Sequence, residues 1–263
     1  MTVKDIANAI EAIAPRPLQE DYDNAGLQVG TFDTDVVGVL VCLDITEDII
    51  DEAISKGCNL VVSHHPLIFR GLKRVSDSTY QERCVVKAIM NDIVLYSAHT
   101  NLDNAEGGVN HKIAKLLGLK DTQWLEPKPQ TAGCSCGSGL IGSLSEAMPA
   151  EAFLKKVKET FKVDCIMHNN PDGKIISKVA LCGGAGSFLL DEAIGKGADC
   201  FLTGEMSYHN YFGHDKDILI AVIGHYQSEQ YTKELFKEIL LKEYPSLRVE
   251  LSEINTNPIK YFV

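Results

Sequence analysis

The sequence predicts an α/β protein made of two similar lobes, each organised around a mixed, largely parallel sheet. The first observation is an internal repeat: residues 51–57 read Asp-Glu-Ala-Ile-Ser-Lys-Gly, and residues 191–197, 140 positions later, read Asp-Glu-Ala-Ile-Gly-Lys-Gly. The second is that the repeat extends without a gap into flanking apolar runs, where Val39 aligns with Val179. The third is that short apolar runs alternate with segments of helical periodicity, a pattern typical of strand–helix–strand units.

The first lobe opens with a helix over residues 3–13, because apolar residues recur there at helical spacing. The run 36–43 is apolar almost throughout and predicts a buried strand. A helix over 47–56 follows, with Thr46 as its cap and Gly57 at its end. The remaining elements of this lobe are predicted as strands at 60–63 and 93–98 and helices at 80–91 and 109–117.

A Pro- and Gly-rich stretch at 127–139 predicts a hinge, and we place the lobe boundary just before it, giving lobes of 1–124 and 125–263. The two lobes are expected to pack as one compact unit, with the final helix a candidate to cross back to the first lobe. The second lobe repeats the strand–helix–strand unit at 179–203. Its other predicted elements are strands at 139–144, 163–168, 175–182, 218–223 and 248–251, helices at 149–161 and 228–242, and a turn at 169–173 between two of the strands.

The composition is that of an ordinary globular protein, with 263 residues of which 45% are hydrophobic and 23% charged. The net charge of −11 argues against a broad basic surface for nucleic-acid phosphates. No apolar run approaches the roughly 20 residues that cross a bilayer, and the first residues lack the basic start and apolar core of a signal peptide. We therefore expect a cytoplasmic protein that does not enter membranes or bind nucleic acid.

Metal-binding side chains follow the ends of predicted strands in both lobes. His64 and His65 come directly after one strand and His99 after the next, while Glu205 and His225 follow strands of the second lobe. In open α/β sheets, functional groups collect beyond the carboxyl ends of the strands. The sequence therefore predicts a metal centre assembled where the two lobes meet.

Each lobe also carries a His-x-x-x-acid element, His99 to Asp103 in the first and His225 to Glu229 in the second. The second element should open a helix and place both side chains on one face, whereas the asparagines and glycines around the first favour a loop. Two adjacent histidines on an extended strand would point to opposite faces. A single ion would then not take both, unless the chain turns at that point.

Imidazole and carboxylate ligands suit zinc, iron, manganese, cobalt or nickel. Five ligands are too many for one tetrahedral catalytic ion with an open position, but they suit two divalent ions about 3.5–4 Å apart. The five assigned ligands are His64, His65, Asp103, His225 and Glu229. His99 and Glu205 are assigned as catalytic candidates, acting in proton transfer, as outer partners of the ligands, or as additional ligands.

Simpler interpretations stand beside these assignments. Glu205 could cap a helix that begins near Met206. The segment Gly183-Gly-Ala-Gly-Ser187 lacks the dinucleotide-binding spacing, and it fits either an anion-binding loop or a tight turn that requires glycine. The other histidines are interpreted as structural or exposed, namely His111, His168, His209 and His214.

Five motifs occur in order along the chain. They are Asp23-Asn-Ala-Gly-Leu-Gln-Val-Gly30, Ser63-His-His-Pro66, His99-Thr-Asn-Leu-Asp103, Thr203-Gly-Glu-Met-Ser207 and Gly224-His-Tyr-Gln-Ser-Glu229. Together they resemble the Nif-three-like family, often labelled GTP cyclohydrolase 1 type 2 homologues, over nearly the whole chain. The resemblance implies two α/β lobes around a dinuclear metal site with the five ligands assigned above. It also implies a ring-shaped homohexamer, a trimer of dimers, in the short form that lacks an inserted domain.

Three functions follow as hypotheses. The first is a metal-dependent hydrolase acting on a small phosphorylated or nucleotide-like substrate, and the family label implies hydrolytic opening of the GTP purine ring. The second is a non-enzymatic metal-handling or regulatory scaffold that holds and releases ions. The third, nucleic-acid processing inside an oligomeric ring, is disfavoured by the acidic net charge.

Overall fold

A computed structural model describes residues 1–262 of the chain. Unit 1 comprises Met1–Ala105 and Thr232–Ile259, and unit 2 comprises Glu106–Tyr231 together with residues 260–262. Each unit contains one mixed β-sheet with helices packed against it. The predicted α/β class with two mixed sheets is therefore confirmed.

The helices are α1 (Val3–Glu11), α2 (Glu47–Ser55), α3 (Tyr80–Met90), α4 (Thr100–Asp103), α5 (Val109–Leu117), α6 (Ala150–Phe161), α7 (Leu190–Gly195), α8 (His225–Glu229) and α9 (Thr232–Glu243). The strands are β1 (Gly26–Val29), β2 (Val39–Cys42), β3 (Leu60–Ser63), β4 (Val94–Ser97), β5 (Lys120–Pro127), β6 (Gly137–Pro149), β7 (Met167–His168), β8 (Ile175–Cys182), β9 (Cys200–Thr203), β10 (Leu219–Val222) and β11 (Val249–Leu251). Short 3₁₀ turns occur at Arg16–Leu18, Gly186–Leu189 and Tyr208–Tyr211. Of the helices within residues 1–262, none has the length and apolar character to cross a membrane.

The sheet of unit 1 has the order β1-β4-β3-β2-β11, and each neighbouring pair is parallel except β1 with β4. The three central strands are buried along their whole length, which explains why their sequences are apolar runs rather than alternating patterns. Helix α9 packs against α1 and β2. The hydroxyl of Tyr244, just after α9, donates to the carbonyl of Asp5 at 3.4 Å. The C-terminal segment thus completes the first sheet.

The sheet of unit 2 has the order β5-β6-β8-β9-β10-β7, with parallel pairing at β8–β9 and β9–β10 and antiparallel pairing elsewhere. Phe201 on β9 is fully buried, as are Phe153 and Phe161 of α6. Burial of each such ring stabilises the fold by roughly 1.5–3 kcal/mol relative to an exposed ring. The parallel strands of this sheet place Thr203 and Val222 at the same edge, where the functional residues follow.

The internal repeat is preserved in the register of the two sheets. Val39 pairs with Leu60 on parallel strands of unit 1, and Val179 pairs with Cys200 in unit 2, so both partners are displaced by the same 140 positions. The glycine that follows the connecting helix, Gly57 or Gly197, has a positive φ of 63° or 67°. An L-residue with a side chain rarely adopts this conformation, which accounts for glycine at both positions.

Two predicted connections in the second lobe are wrong. The turn at 169–173 does not join paired strands, because β7 pairs with β10 rather than β8. The long helix predicted at 228–242 is interrupted at Gln230 and Tyr231 and forms α8 and α9. At the interruption the Gln230 amide donates to the Phe161 carbonyl at 3.2 Å, and the Tyr231 hydroxyl donates to the Thr160 carbonyl at 2.9 Å.

Candidate metal centre

Unit 1 brings three imidazoles together beyond the ends of two parallel strands. His64 and His65 follow β3, and His99 follows β4. The ring centroids are 4.9 Å apart for His64 and His65, 5.2 Å for His64 and His99, and 5.4 Å for His65 and His99. The chain bends at residues 64 and 65, so the two adjacent rings do not diverge as they would on an extended strand. One nitrogen from each ring lies within 4.8 Å of the others, close enough to share a metal ion.

The δ nitrogens of the adjacent histidines are held by acceptors. His64 Nδ1 lies 3.0 Å from the carbonyl oxygen of Ala98, and His65 Nδ1 lies 2.7 Å from Asp44 Oδ1. A carbonyl or an ionised carboxylate can only accept, so each Nδ1 donates and each ε nitrogen keeps its lone pair for a metal. The Thr256 hydroxyl in turn donates to Asp44 at 2.5 Å. Burial raises the pKa of Asp44, but the hydrogen bonds from His65 and Thr256 give a net lowering.

His99 is held in the same way by Asp23. One carboxylate oxygen of Asp23 accepts from His99 Nδ1 at 2.8 Å, and the other accepts from the backbone N–H and the hydroxyl of Thr100 at 3.0 and 2.5 Å. The Asp23 side chain is 0% exposed. Burial raises the pKa of Asp23, but the hydrogen bonds outweigh it and bring the pKa to about 2. The carboxylate therefore stays ionised and fixes the orientation of the His99 ring.

Replacing Asp23 with asparagine is expected to lower the free energy of unfolding by about 1–2 kcal/mol at pH 7, because an ionic acceptor is lost. A folded-state pKa of about 2 lies below the ordinary value of 3.8. The carboxylate therefore stabilises the fold fully above about pH 4, and this stabilisation is lost as the pH falls towards 2. Urea unfolding should show a constant difference between wild type and variant from pH 7 to 5 and a smaller difference at pH 3.

The matched control for this experiment is Asp21→Asn, because the Asp21 side chain is exposed two residues away. It should unfold like the wild type at every pH. A difference for Asp23→Asn that stays constant down to pH 3 would show that the ionised carboxylate is not the source of the stabilisation.

Asp103 is the last residue of α4, a single helical turn, so the loop predicted after His99 is wrong. Its Oδ1 lies 3.5 Å from His64 Nε2. Asn101 is the second residue of this turn. Its side-chain oxygen accepts from the His99 backbone N–H at 2.9 Å, and its amide donates to the Ala14 carbonyl at 2.7 Å. Asparagine side chains often compete with helical hydrogen bonds, but here the same capacity anchors the helix start.

Unit 2 places a histidine and a carboxylate on one face of α8. His225 and Glu229 stand one turn apart, as predicted, with His225 Nε2 3.1 Å from Glu229 Oε2. Glu229 is buried, at 3% exposure. His225 Nδ1 lies 2.7 Å from Glu205 Oε1. Glu205 therefore orients this ring and caps no helix, since the next helical turn begins at Tyr208 after Ser207.

The glycine-rich loop at 183–187 uses its backbone N–H groups within the protein. Three of them donate to side-chain oxygens: Gly183 to Asn110 at 3.0 Å, Gly184 to Ser228 at 3.0 Å, and Gly186 to Thr203 at 3.2 Å. These groups are therefore not directed at an anion, and the loop is better explained as a tight turn.

Gly184 explains why this turn requires glycine. Its φ is +60°, and a Cβ at this position would lie 2.4 Å from Glu229 Oε1 and 3.3 Å from His225 Cε1. The 2.4 Å distance to Glu229 Oε1 is shorter than any real contact of a Cβ atom, so a side chain at residue 184 would displace the carboxylate. The loop thus forms the wall against which Glu229 packs.

The other histidines lie in different surroundings. His111 packs edge-to-face on Trp124, with ring centroids 4.9 Å apart. His168 Nδ1 lies 2.8 Å from a backbone carbonyl oxygen, and His214 Nδ1 lies 3.8 Å from a neighbouring carboxylate. His209 is exposed.

Sequence reasoning did not assign Asp23 or Asp44. A signal existed for both, because Asp23 opens the first of the five motifs and Asp44 comes shortly after β2, at the sheet edge where functional groups collect. Thr256 carried no such signal, since only the folded chain brings the C-terminal segment to Asp44.

The described residues define an α/β protein whose histidine groups can hold a metal ion. The family model described as Duf34/NIF3 (NGG1p interacting factor 3) matches residues 1–258, and the chain belongs to this family. It is 37% identical over 231 residues to a Clostridium acetobutylicum protein named "GTP cyclohydrolase 1 type 2 homolog", covering 87% of this chain and 85% of that protein. A Streptococcus pneumoniae protein of the same name is 33% identical over 271 residues, covering 99% and 100%. The fold is similar to the crystal structure of a Staphylococcus aureus protein, with a TM-score of 0.90, 27% identity, and coverage of 100% of this chain and 99% of that one.

Proposed function

We propose that this protein is a dinuclear metal-dependent hydrolase that acts on a small nucleotide-like or phosphorylated molecule. The observation that carries the proposal is the group of three imidazoles in unit 1, each with its Nδ1 held by a carbonyl or a carboxylate. Such outer acceptors orient imidazole ligands and increase their basicity in metal sites. The proposed ligands are His64, His65, Asp103, His225 and Glu229.

The donor set fits divalent transition ions. Imidazole nitrogen and carboxylate oxygen together suit zinc, iron, manganese, cobalt or nickel. Five ligands shared between two ions leave positions for water and substrate. Two metal ions bound in this way would act as Lewis acids that activate a water molecule, and they would stabilise charge on the attacking and leaving oxygens.

His99 and Glu205 are proposed to move protons. His99 is anchored through Nδ1 to Asp23, and its side chain is 17% exposed, so the ring is fixed yet open to a reacting molecule. The Asp23 carboxylate stabilises the imidazolium that forms when His99 accepts a proton. Glu205 keeps the His225 ring oriented, and its side chain is 57% exposed, which leaves the carboxylate accessible to substrate.

The proposed substrate class is supported by the names of the relatives and by the net charge. Relatives carry the name GTP cyclohydrolase 1 type 2 homolog, which favours a small nucleotide-like substrate. A net charge of −11 disfavours a polyanion such as nucleic acid. We also propose a homohexamer, a trimer of dimers, which light scattering would measure against the 28.8 kDa mass of one chain.

The function is tested by metal-dependent turnover. The purified protein is stripped with a chelator, reloaded separately with each of the five metals, and assayed against nucleotides and sugar phosphates. We expect two ions per chain by elemental analysis, and hydrolysis of at least one substrate by at least one loaded form. The stripped protein should be inactive on that substrate and should recover on reloading.

Other outcomes point elsewhere. Two bound ions that exchange rapidly, with no turnover on the whole panel, would favour the non-enzymatic metal-handling scaffold. Fewer than two ions per chain after reloading would contradict the dinuclear site.

A further inference from the structure

Unit 2 contains a cavity of about 760 Å³ that none of the proposed metal ligands lines. It lies between β7 and the 3₁₀ turn Tyr208–Tyr211. The residues that carry the argument below are Met167, Met206, Tyr208, Tyr211, Phe212 and Asp215. Cavities of several hundred Å³ lined by apolar and aromatic side chains with a few polar groups are typical of small-molecule sites.

We propose that this cavity binds an aromatic nitrogen heterocycle, the ring portion of the substrate. The ring packs on Tyr208 and Phe212 and donates N–H groups to Asp215. It also accepts a hydrogen bond from the Tyr211 hydroxyl, once the Tyr211 side chain turns towards the cavity. The inference rests on the proposed function, because it assigns the ring-binding part of the same substrate site.

The cavity wall exposes large apolar and aromatic side chains that are usually buried. Met167, Tyr208 and Phe212 are 58%, 73% and 61% exposed, although each is a large apolar or aromatic side chain. Contiguous exposed apolar patches of this kind often mark binding sites. The Tyr208 and Phe212 rings meet edge-to-face, with centroids 5.2 Å apart and planes at 78°. The His209 ring packs against both, with its centroid 5.3 Å from Tyr208 and 6.1 Å from Phe212. The exposed surface of this aromatic cluster can receive a further planar ring by stacked or edge-on contact.

A polar group in the wall indicates what such a ring must carry. The Tyr211 hydroxyl oxygen is buried and has no hydrogen-bond partner within the described chain, residues 1–262. Burial raises the pKa of Tyr211, so the hydroxyl remains an O–H donor at neutral pH. A buried donor without an acceptor destabilises the protein, and a ligand that brings an acceptor removes this penalty. Asp215 adds an acceptor for N–H groups, and nitrogen heterocycles offer both kinds of group.

The floor of the cavity is formed before any ligand binds. Asn169 follows β7, and its amide donates to the carbonyls of His214 and Ile218 at 3.3 and 2.9 Å. Its side-chain oxygen accepts from the Ile220 N–H at 2.9 Å. These bonds tie the β7 end to the segment that carries Asp215, so a ligand would meet a fixed surface.

One residue of the cavity wall is the sequence neighbour of a residue in the candidate metal centre. Met206 lines the cavity, and the preceding residue, Glu205, binds His225 Nδ1. We place the rest of the same molecule on the side of the Glu205–His225 pair. This placement favours a substrate with a heterocycle at one end and the reacting group at the other.

The test is calorimetric titration of metal-loaded protein with guanosine, adenosine, cytidine and uridine, and with ribose as the ring-free probe. Nucleosides carry no phosphate, so they report on the ring site alone. We expect at least one nucleoside to bind tenfold or more tightly than ribose. Asp215→Asn and Tyr211→Phe should each weaken that nucleoside by about five- to tenfold or more. Asp217→Asn, an exposed carboxylate two positions away, is the matched control and should bind like the wild type.

The readouts separate this proposal from the metal-dependent reaction. Metal content should be unchanged in the Asp215 and Tyr211 variants, and nucleoside binding should persist in chelator-stripped protein even if no turnover is ever found. Nucleosides that bind no better than ribose, or equally well to all variants, would overturn the proposal. The proposal would also be overturned if the wild type bound no nucleoside and Phe212→Ala changed the molecular mass of the assembly. That result would show that the patch is a contact between copies of the chain.

Discussion

The double variant His64→Ala, Asp103→Ala is expected to lose bound metal and at least a thousandfold in turnover. His64 is fully buried with its Nδ1 on the Ala98 carbonyl, and Asp103 Oδ1 lies 3.5 Å from its other nitrogen. The substitutions therefore remove one proposed nitrogen ligand and one proposed oxygen ligand that lie side by side. A thousandfold loss corresponds to about 4 kcal/mol of transition-state stabilisation, within what metal-ion catalysis supplies. Elemental analysis and turnover on the active substrate measure both effects.

Two further variants make the result interpretable. Removing a buried imidazole also leaves a void. Asp103→Asn is therefore tested in parallel, because asparagine has nearly the same shape as aspartate and leaves no cavity. Asp103→Asn should fold normally and still lose metal. Asp33→Asn removes an exposed carboxylate outside the candidate site and should keep both metal and activity. Full metal content in the Asp103 variant would remove Asp103 from the ligand set.

The repeat made much of the fold predictable. A single offset of 140 residues aligned strand, helix and strand in both halves, and the same offset relates the pairing registers of β2–β3 and β8–β9. Buried parallel strands need apolar residues on both faces, so they appear as short apolar runs that a sequence shows directly. The predicted ends also agree with the observed ends for α5 and β8, Val109–Leu117 and Ile175–Cys182. In both elements the apolar spacing stops at a glycine or a turn, which marks the end of the element in the sequence.

Elements without such a signal were missed. Strand β5 has only Leu125 fully buried among its residues, so its sequence shows no apolar alternation. The strand predicted at 163–168 was not missed but is reduced to β7, whose two residues are exposed. Its pairing with β10 depends on a contact between segments some 50 residues apart. The break before α9 is set by side-chain bonds from Gln230 and Tyr231 to the end of α6. Long-range contacts of this kind override local propensity and leave no periodic trace.

The candidate site was predictable to the same extent. Histidines at strand ends could be found from the apolar runs that precede them, and the structure brings His64, His65 and His99 together in unit 1. The acceptors that orient the rings, Asp23 and Asp44, pair with residues 76 and 21 positions away. Only the tertiary structure specifies these carboxylate–histidine pairs. The pairs determine which nitrogen of each ring is available to a metal ion.

Gly184→Ala is expected to lower metal affinity by a hundredfold or more although it removes no ligand. The new Cβ would lie 2.4 Å from Glu229 Oε1, so the carboxylate must leave its position beside His225. Displacing a ligand should exceed the roughly 10–100-fold effect of removing an outer partner. The free energy of unfolding should also fall, by about 1–2 kcal/mol from the left-handed conformation and about 1–3 kcal/mol from overpacking. Titration with cobalt(II), followed by its visible absorption, measures the affinity.

Gly197→Ala separates the two contributions, because Gly197 has nearly the same φ of +67° but no atom within 4 Å of a Cβ. It should lose only the conformational term and bind cobalt like the wild type. A second comparison, Gly184→Ala combined with Glu229→Gln, should bind metal no worse than Glu229→Gln alone, since the carboxylate is then already absent. If Gly184→Ala binds cobalt as tightly as Gly197→Ala, the glycine turn is not what positions the carboxylate, and Glu229 loses its place among the ligands.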